Sequence, residues 1–301
     1  MRMSMTDWGQ LALLSVLWGG AFFFAAVAVR EVPPLTVVLA RVSIAAVALW
    51  VFLSVSRRVL LPRAVPRRSL YLAFLGMGLM NNVIPFSLLF WAQTEIASGL
   101  ASILNATTPI FSAMIAHLAL QDERLSFSKL TGVLMGAGGV AILAGLEDAS
   151  LGEGAYLAMA ACLAAALSYG IASVFGRRFR RYGVASPVVA CGQLSASTVI
   201  LLPMVLIIDA PWTLPMPSNH AVGAIVGLAL LSTALAYILF FRVLASAGAV
   251  AISLVTVLIP VTAVLLGTMV LHEPLLLRHG LGMAVIAFGL VLIDGRLFTR
   301  L

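Results

Sequence analysis

The sequence predicts an all-α integral membrane protein of ten transmembrane helices, arranged as two inverted-topology five-helix repeats around a central cavity. Three observations lead to this. Of 301 residues, 62% are hydrophobic and only 10% charged, whereas soluble domains average about 45–50% apolar and about 25% charged. A mean hydropathy of +1.12 excludes a water-soluble fold. The apolar residues fall into ten runs separated by short polar loops, each close to the roughly 20 residues that cross a bilayer as a helix. The chain also matches itself at a displacement of half its length.

The first run, Trp8 to Ala28, ends in Ala26-Val27-Ala28, which looks like a signal-peptide cleavage site. Its n-region offers only Arg2 against Asp7, and the run has a counterpart inside the chain, so it reads as a retained span. The second, Leu35 to Val55, lies between Pro33-Pro34 and the basic stretch Arg57 to Arg68. The third to fifth are Leu70 to Ala92, Ile96 to Leu120 and the Gly-rich Leu130 to Leu146. The remaining five are Ala155 to Phe175, Pro187 to Ile208, Ala221 to Val243, Gly248 to Leu271 and Leu281 to Leu297.

With the N-terminus in the cytoplasm, Arg2, Arg57, Arg58, Arg63, Arg67, Arg68, Arg124, Lys129, Arg177, Arg178, Arg180, Arg181, Arg242, Arg296 and Arg300 all fall inside. That is 15 of the 18 basic residues. This bias sets the orientation, with both termini cytoplasmic and the plasma (inner) membrane as the expected location. The basic excess therefore describes topology, and no nucleic-acid partner is expected. Cys162 and Cys191 lie inside apolar runs far from any His, which suits packing rather than a disulfide or a metal. No cofactor is expected.

At a displacement of 151 residues, Trp18-Gly19 falls on Tyr169-Gly170, Phe90 on Phe241, Ser102 on Ser253, Asn105 on Thr256 and Pro109 on Pro260. At 150, Glu123 falls on Glu273, Gly132 on Gly282, Gly139 on Gly289 and Gly145 on Gly295. The repeats divide as 1–148 and 149–301. Five spans is an odd number, so the second copy threads the bilayer in reverse. Inverted repeats are characteristic of secondary transporters, which place their site near the midplane where the halves meet. An enzyme would need a deep acid, base or metal constellation, and none is visible in the sequence.

Pro85, Pro109 and Pro260 cannot hydrogen-bond the carbonyl four residues earlier, which frees those of Asn81, Asn105 and Thr256. These three residues share a depth of about 13 to 17 Å into their spans by helical rise. The fourth span carries Ser102, Asn105, Pro109 and Ser112 on one stripe, and the ninth repeats it with Ser253, Thr256 and Pro260. Asn82 and Phe86 in the third span match Thr233 and Tyr237 in the eighth. Trp18 and Tyr169 sit beside glycines in the first and sixth. An amphipathic cavity is expected, with Trp18, Asn81, Asn82, Phe86, Ser102, Asn105, Tyr169, Thr233, Tyr237, Ser253 and Thr256 as the candidate substrate-binding set. The small and hydroxylated members fit helix packing as well, and the amides either line the cavity or brace it.

Charge inside the spans is nearly absent. Arg41 lies about 9 Å from the outer end of the second span, within reach of Glu31 or Glu95, and reads as bracing. His117, near the cytoplasmic end of the fourth span, reads as a helix-end residue. Glu123 and Glu273 read as N-terminal caps of the fifth and tenth spans. The Gly132–Gly136 and Gly282–Gly289 stretches read as close helix contacts.

Taken together, "PIFSAMIAHLALQDE" from Pro109 to Glu123, "PVTAVLLGTMVLHE" from Pro260 to Glu273, the "LWGGAFFFAAVAV" opening and the Arg of "LARVSIAA" resemble the EamA branch of the drug/metabolite transporter superfamily. The resemblance covers essentially the whole chain and within the branch is most similar to YddG-type exporters of aromatic amino acids. It implies a basket of spans 1, 3, 4, 6, 8 and 9, with spans 5 and 10 outside. The first span lacks the carboxylate on which small multidrug relatives depend, and no cation is seen at midplane depth for the phosphate of sugar-phosphate relatives. The expected function is export of amino acids and related neutral or zwitterionic metabolites, aromatic amino acids in particular, by alternating access. The alternative is export of drugs or quaternary ammonium compounds. The expected partners are a small-molecule substrate and the lipid bilayer, with the chain acting as a monomer.

Overall fold

The computed structural model describes residues 4–56, 65–120, 127–144, 153–246 and 248–294. Among them there is no strand. The helices are α1 (Met5–Ala28), α2 (Pro34–Val55), α3 (Arg67–Ala92), α4 (Ser98–Ala119), α5 (Phe127–Ala144), α6 (Glu153–Arg181), α7 (Ser186–Ile208), α8 (Asn219–Ser246), α9 (Gly248–Val270) and α10 (Leu277–Asp294). Seven of them, α1 to α4 and α6 to α8, are long and apolar enough to cross a membrane. Leu130–Leu143, Leu258–Val270 and Leu277–Leu292 are shorter apolar stretches of α5, α9 and α10. Large apolar side chains such as Val51, Leu134, Val199, Ile207 and Leu265 point outward. That is stable only against lipid, because intrahelical bonding already satisfies the backbone there.

Helix starts are held by acidic side chains. Ser4 and Asp7 form a capping box at α1. The Asp209 carboxylate accepts from the Thr36 N–H at 2.9 Å and its hydroxyl at 2.6 Å, at the start of α2. Glu31 accepts from the N–H and hydroxyl of Ser218, each at 2.7 Å, just before α8. Glu273 accepts from the Ser98 N–H at 2.9 Å, the Gly99 N–H at 3.2 Å and the Ser98 hydroxyl at 2.9 Å. Glu273 therefore caps α4, not the tenth helix that follows it in sequence. The uncapped N–H groups of a helix start attract the nearest carboxylate in space, whichever loop supplies it. Glu123 and the cap expected of it lie outside the described residues.

Three long helices are interrupted near their middles. α3 and α8 each contain a π-helical turn, Leu79–Val83 and Leu230–Leu235. In the first, the Ile84 N–H reaches back to the carbonyl of Leu79, which releases that of Met80; the Ser168 hydroxyl donates to it at 2.7 Å. α4 breaks after Asn105 and resumes at Thr108, with Pro109 in the first turn of its second half. Here the expected free carbonyl of Asn105 is not free, because the Thr108 hydroxyl donates to it at 2.7 Å.

The helix contacts come in matched pairs. α1 packs on α9 and α8, as α6 packs on α4 and α3; α2 meets α8 as α7 meets α3; α5 packs on α10, α2 on α7 and α4 on α9. The glycines show the same pairing at atomic detail. Gly76 faces the ring of Phe175 and Gly227 that of Phe24, residues exchanged by the 151-residue displacement. Gly19 lies against Thr262, and Gly170 against the backbone of Phe111, on the same rule. Gly139 lies against Gly282, and Gly289 against Gly132, so the Gly-rich helices approach backbone to backbone.

Candidate functional site: a central cavity with one cation

Between these helices is a cavity of about 480 Å³, within the range of small-molecule sites. Its wall takes Trp18 and Phe22 from α1, Asn81, Phe86, Phe90 and Gln93 from α3, Asn105, Thr108 and Ser112 from α4, and Tyr169 and Ser173 from α6. α8 adds Ser232, Thr233, Tyr237 and Phe240, and α9 adds Thr256 and Ile259. α5 and α10 contribute nothing to the wall. α2 contributes one residue, Arg41.

The structure thus brings together Trp18, Asn81, Phe86, Asn105, Tyr169, Thr233, Tyr237 and Thr256 on one wall. Two other candidates turn elsewhere. Asn82 is fully buried, its amide N–H donating to the Ser197 hydroxyl of α7 at 2.9 Å. Ser102 is fully buried and donates to the Gly99 carbonyl of its own helix at 2.6 Å. The side chain of Ser253 lies outside the described residues.

The aromatic groups form two banks. Phe86 is stacked on Phe90 at 6.2 Å and meets Tyr169 edge-on at 6.4 Å. Tyr237 stacks on Phe241 at 5.9 Å, and Trp18 lies tilted against Phe240 at 5.6 Å. The amides are chained across helices: Asn81 donates to the Gln193 side-chain carbonyl at 3.2 Å, and Gln193 donates to the Tyr237 hydroxyl at 2.9 Å. Two buried acceptors on wall residues, Asn105 Oδ1 and Gln93 Oε1, have no donor among the described residues.

Arg41 corrects the sequence reading. It is 6% exposed and turned into the cavity, while Glu31, one of its expected partners, is bonded to Ser218 instead. Its Nε–H donates to the Thr233 hydroxyl at 2.9 Å, and that hydroxyl in turn donates to the Leu228 carbonyl across the π turn. The guanidinium lies 3.8 Å from the centroid of the Phe86 ring and 5.6 Å from that of Phe90, close enough for cation–π attraction. The inference that no cation reaches the cavity, and that an anionic group is therefore disfavoured, falls with this observation. The missed signal was visible: an intramembrane Arg is a functional candidate by default. Gln193 was missed as well, although it stands 152 positions after Arg41, close to the repeat displacement.

The chain resembles known proteins along almost its full length. The model of the EamA-like transporter family matches it twice, at residues 8–145 and 156–294. The uncharacterized transporter YoaV of Bacillus subtilis is 29% identical over 288 residues, covering 93% of this chain and 94% of that protein. The uncharacterized inner membrane transporter YedA of Escherichia coli K12 is 26% identical, covering 95% and 89%. A probable terminal-alkyne amino-acid exporter of Streptantibioticus cattleyicolor is 29% identical, covering 100% and 97%. A solved crystal structure shares the fold, with a TM-score of 0.66 at 20% identity and 96% of both chains covered. A polar and aromatic cavity walled by a bundle of apolar helices is what a carrier of small molecules across a membrane requires, and this multi-pass membrane protein belongs to the EamA-like transporter family.

Proposed function

We propose that the protein exports amino acids and related small neutral or zwitterionic metabolites, aromatic amino acids first among them, by alternating access. In this reading ten helices span the plasma (inner) membrane with both termini in the cytoplasm. Two inverted repeats, 1–148 and 149–301, rock about the cavity they share. The YddG-type likeness belongs to this reading.

The observation that carries it is the composition of the cavity wall. Aromatic faces of Trp18, Phe86, Tyr169 and Tyr237 suit an apolar or aromatic side chain, and Asn81, Asn105, Thr233 and Thr256 suit the polar end of the same molecule. The relative named as a probable amino-acid exporter supports the substrate class. The alternative, a quaternary ammonium cargo stacked on the rings, would have to sit beside the Arg41 guanidinium, which repels it.

Counterflow in proteoliposomes tests the proposal. Vesicles loaded with unlabelled Phe should accumulate labelled Phe, Trp, Met or Thr with saturable kinetics. Absence of exchange for all four would end the amino-acid reading.

A further inference from the structure

The cavity carries a positive charge that no carboxylate among the described residues balances. Arg41 has its Nε–H engaged by Thr233, and among the described residues its Nη groups have no acceptor and no carboxylate pairs with it. Of the two carboxylates expected from the sequence to pair with it, Glu31 is held by Ser218 and the carboxylate of Glu95 lies beside Gly154; Asp7, Asp209 and Glu273 are held at helix starts by Ser4, Thr36 and Ser98. A guanidinium is costly to bury without an anion. Its free edge is a planar fork that fits a carboxylate at two points.

The surroundings hold that edge in position. Thr233 fixes one side of the group and the Phe86 ring supports its face. The Tyr237 hydroxyl, which accepts from Gln193, lies on the same wall.

We propose that Arg41 is the carboxylate anchor of the transport site, pairing through its Nη groups with the carboxylate of the solute. The class carried is then aromatic or apolar monocarboxylates, zwitterionic amino acids included, to the exclusion of organic cations lacking an acid group. This rests on the reading above in placing the solute in this cavity, and it adds which end of the molecule is recognised by charge. The unpartnered acceptors Asn105 Oδ1 and Gln93 Oε1 are left for the donors of the same solute.

Calorimetry on the purified full-length protein with 3-phenylpropionate, phenylalanine and 2-phenylethylamine tests the anchor. The two acids should bind saturably, and the amine, which keeps the ring but lacks the carboxylate, should bind at least about tenfold more weakly. Arg41→Gln should weaken both acids by about tenfold or more and leave the amine no weaker, and Arg41→Lys should recover part of the loss. Amine binding as tight as acid binding, acid binding by Arg41→Gln within about twofold of the unaltered protein, or silence toward all three probes would overturn the anchor. The comparison of the three probes needs no variant, so it decides even if Arg41→Gln does not fold. The two proposals also fail separately. Loss of amino-acid counterflow with Arg41-dependent binding of 3-phenylpropionate ends the export reading and leaves the anchor. Phenylalanine exchange inhibited equally by the amine and the acid does the reverse.

Discussion

Asn82 shows how a buried amide can serve the bundle instead of the cargo. Its N–H meets the Ser197 hydroxyl, and that hydroxyl donates to the Gln193 carbonyl at 2.7 Å within α7. The neighbouring Asn81, in the same π turn between Leu79 and Val83, faces the cavity, since successive helical side chains point about 100° apart. A double-mutant cycle on Asn82→Ala and Ser197→Ala should give a coupling of about 0.6 kcal/mol, with about 1.7 kcal/mol as the upper end for such pairs in membrane proteins. Reversible unfolding in mixed micelles measures it, and zero coupling would contradict the pairing. Residue types alone pointed to polar groups at one depth, and eight of eleven candidates do face the cavity. Which of two adjacent asparagines faces it was not readable, since a π turn leaves no signature in hydropathy.

At the level of helices, two kinds of contact position the wall. The first is the acidic cap. Hydrogen bonds from Ser218 hold the Glu31 carboxyl below the usual carboxylate range. A carboxylate whose proton affinity is lower in the folded state contributes stability above its unfolded pKa, and loses it as the pH falls through the lower folded value. Thermal midpoints of Glu31→Gln and the unaltered protein should therefore converge as the pH drops through the acidic range, with the unaltered protein the more stable near neutrality. A pH-independent difference would count against the cap. The second contact is glycine packing. A Cβ on Gly170 would stand 3.0 Å from backbone atoms of Phe111 and Ser112, which cannot move aside. Gly170→Ala should force α6 away from α4 and cost about 1–3 kcal/mol, seen as a lower midpoint in a detergent melt. Gly223 has nothing within 4 Å of that position, so Gly223→Ala should be neutral or stabilise by up to about 1 kcal/mol. Equal effects at the two sites would refute the packing argument.

For the whole molecule, the matched helix pairs are those that two copies of one unit produce when packed face to face. If the copies are inverted across the bilayer, single cysteines placed by Glu31→Cys and Ser218→Cys should react with an impermeant maleimide from the outside. Arg67→Cys and Arg181→Cys should react only from the cytoplasm. Reaction of all four from one face would refute the arrangement.

Hydropathy and spacing are properties of neighbours along the chain, so order of residues alone was enough to reveal a lipid-embedded helical protein whose polar and aromatic positions recur half a chain apart. The helix ends and the cation needed three dimensions. Glu273 caps a helix 175 residues away in sequence, and Arg41 meets Thr233 across 192 residues. Such partners are chosen by packing across the bundle, where a charged group seeks the nearest group able to satisfy it, and no local pattern records which one that is.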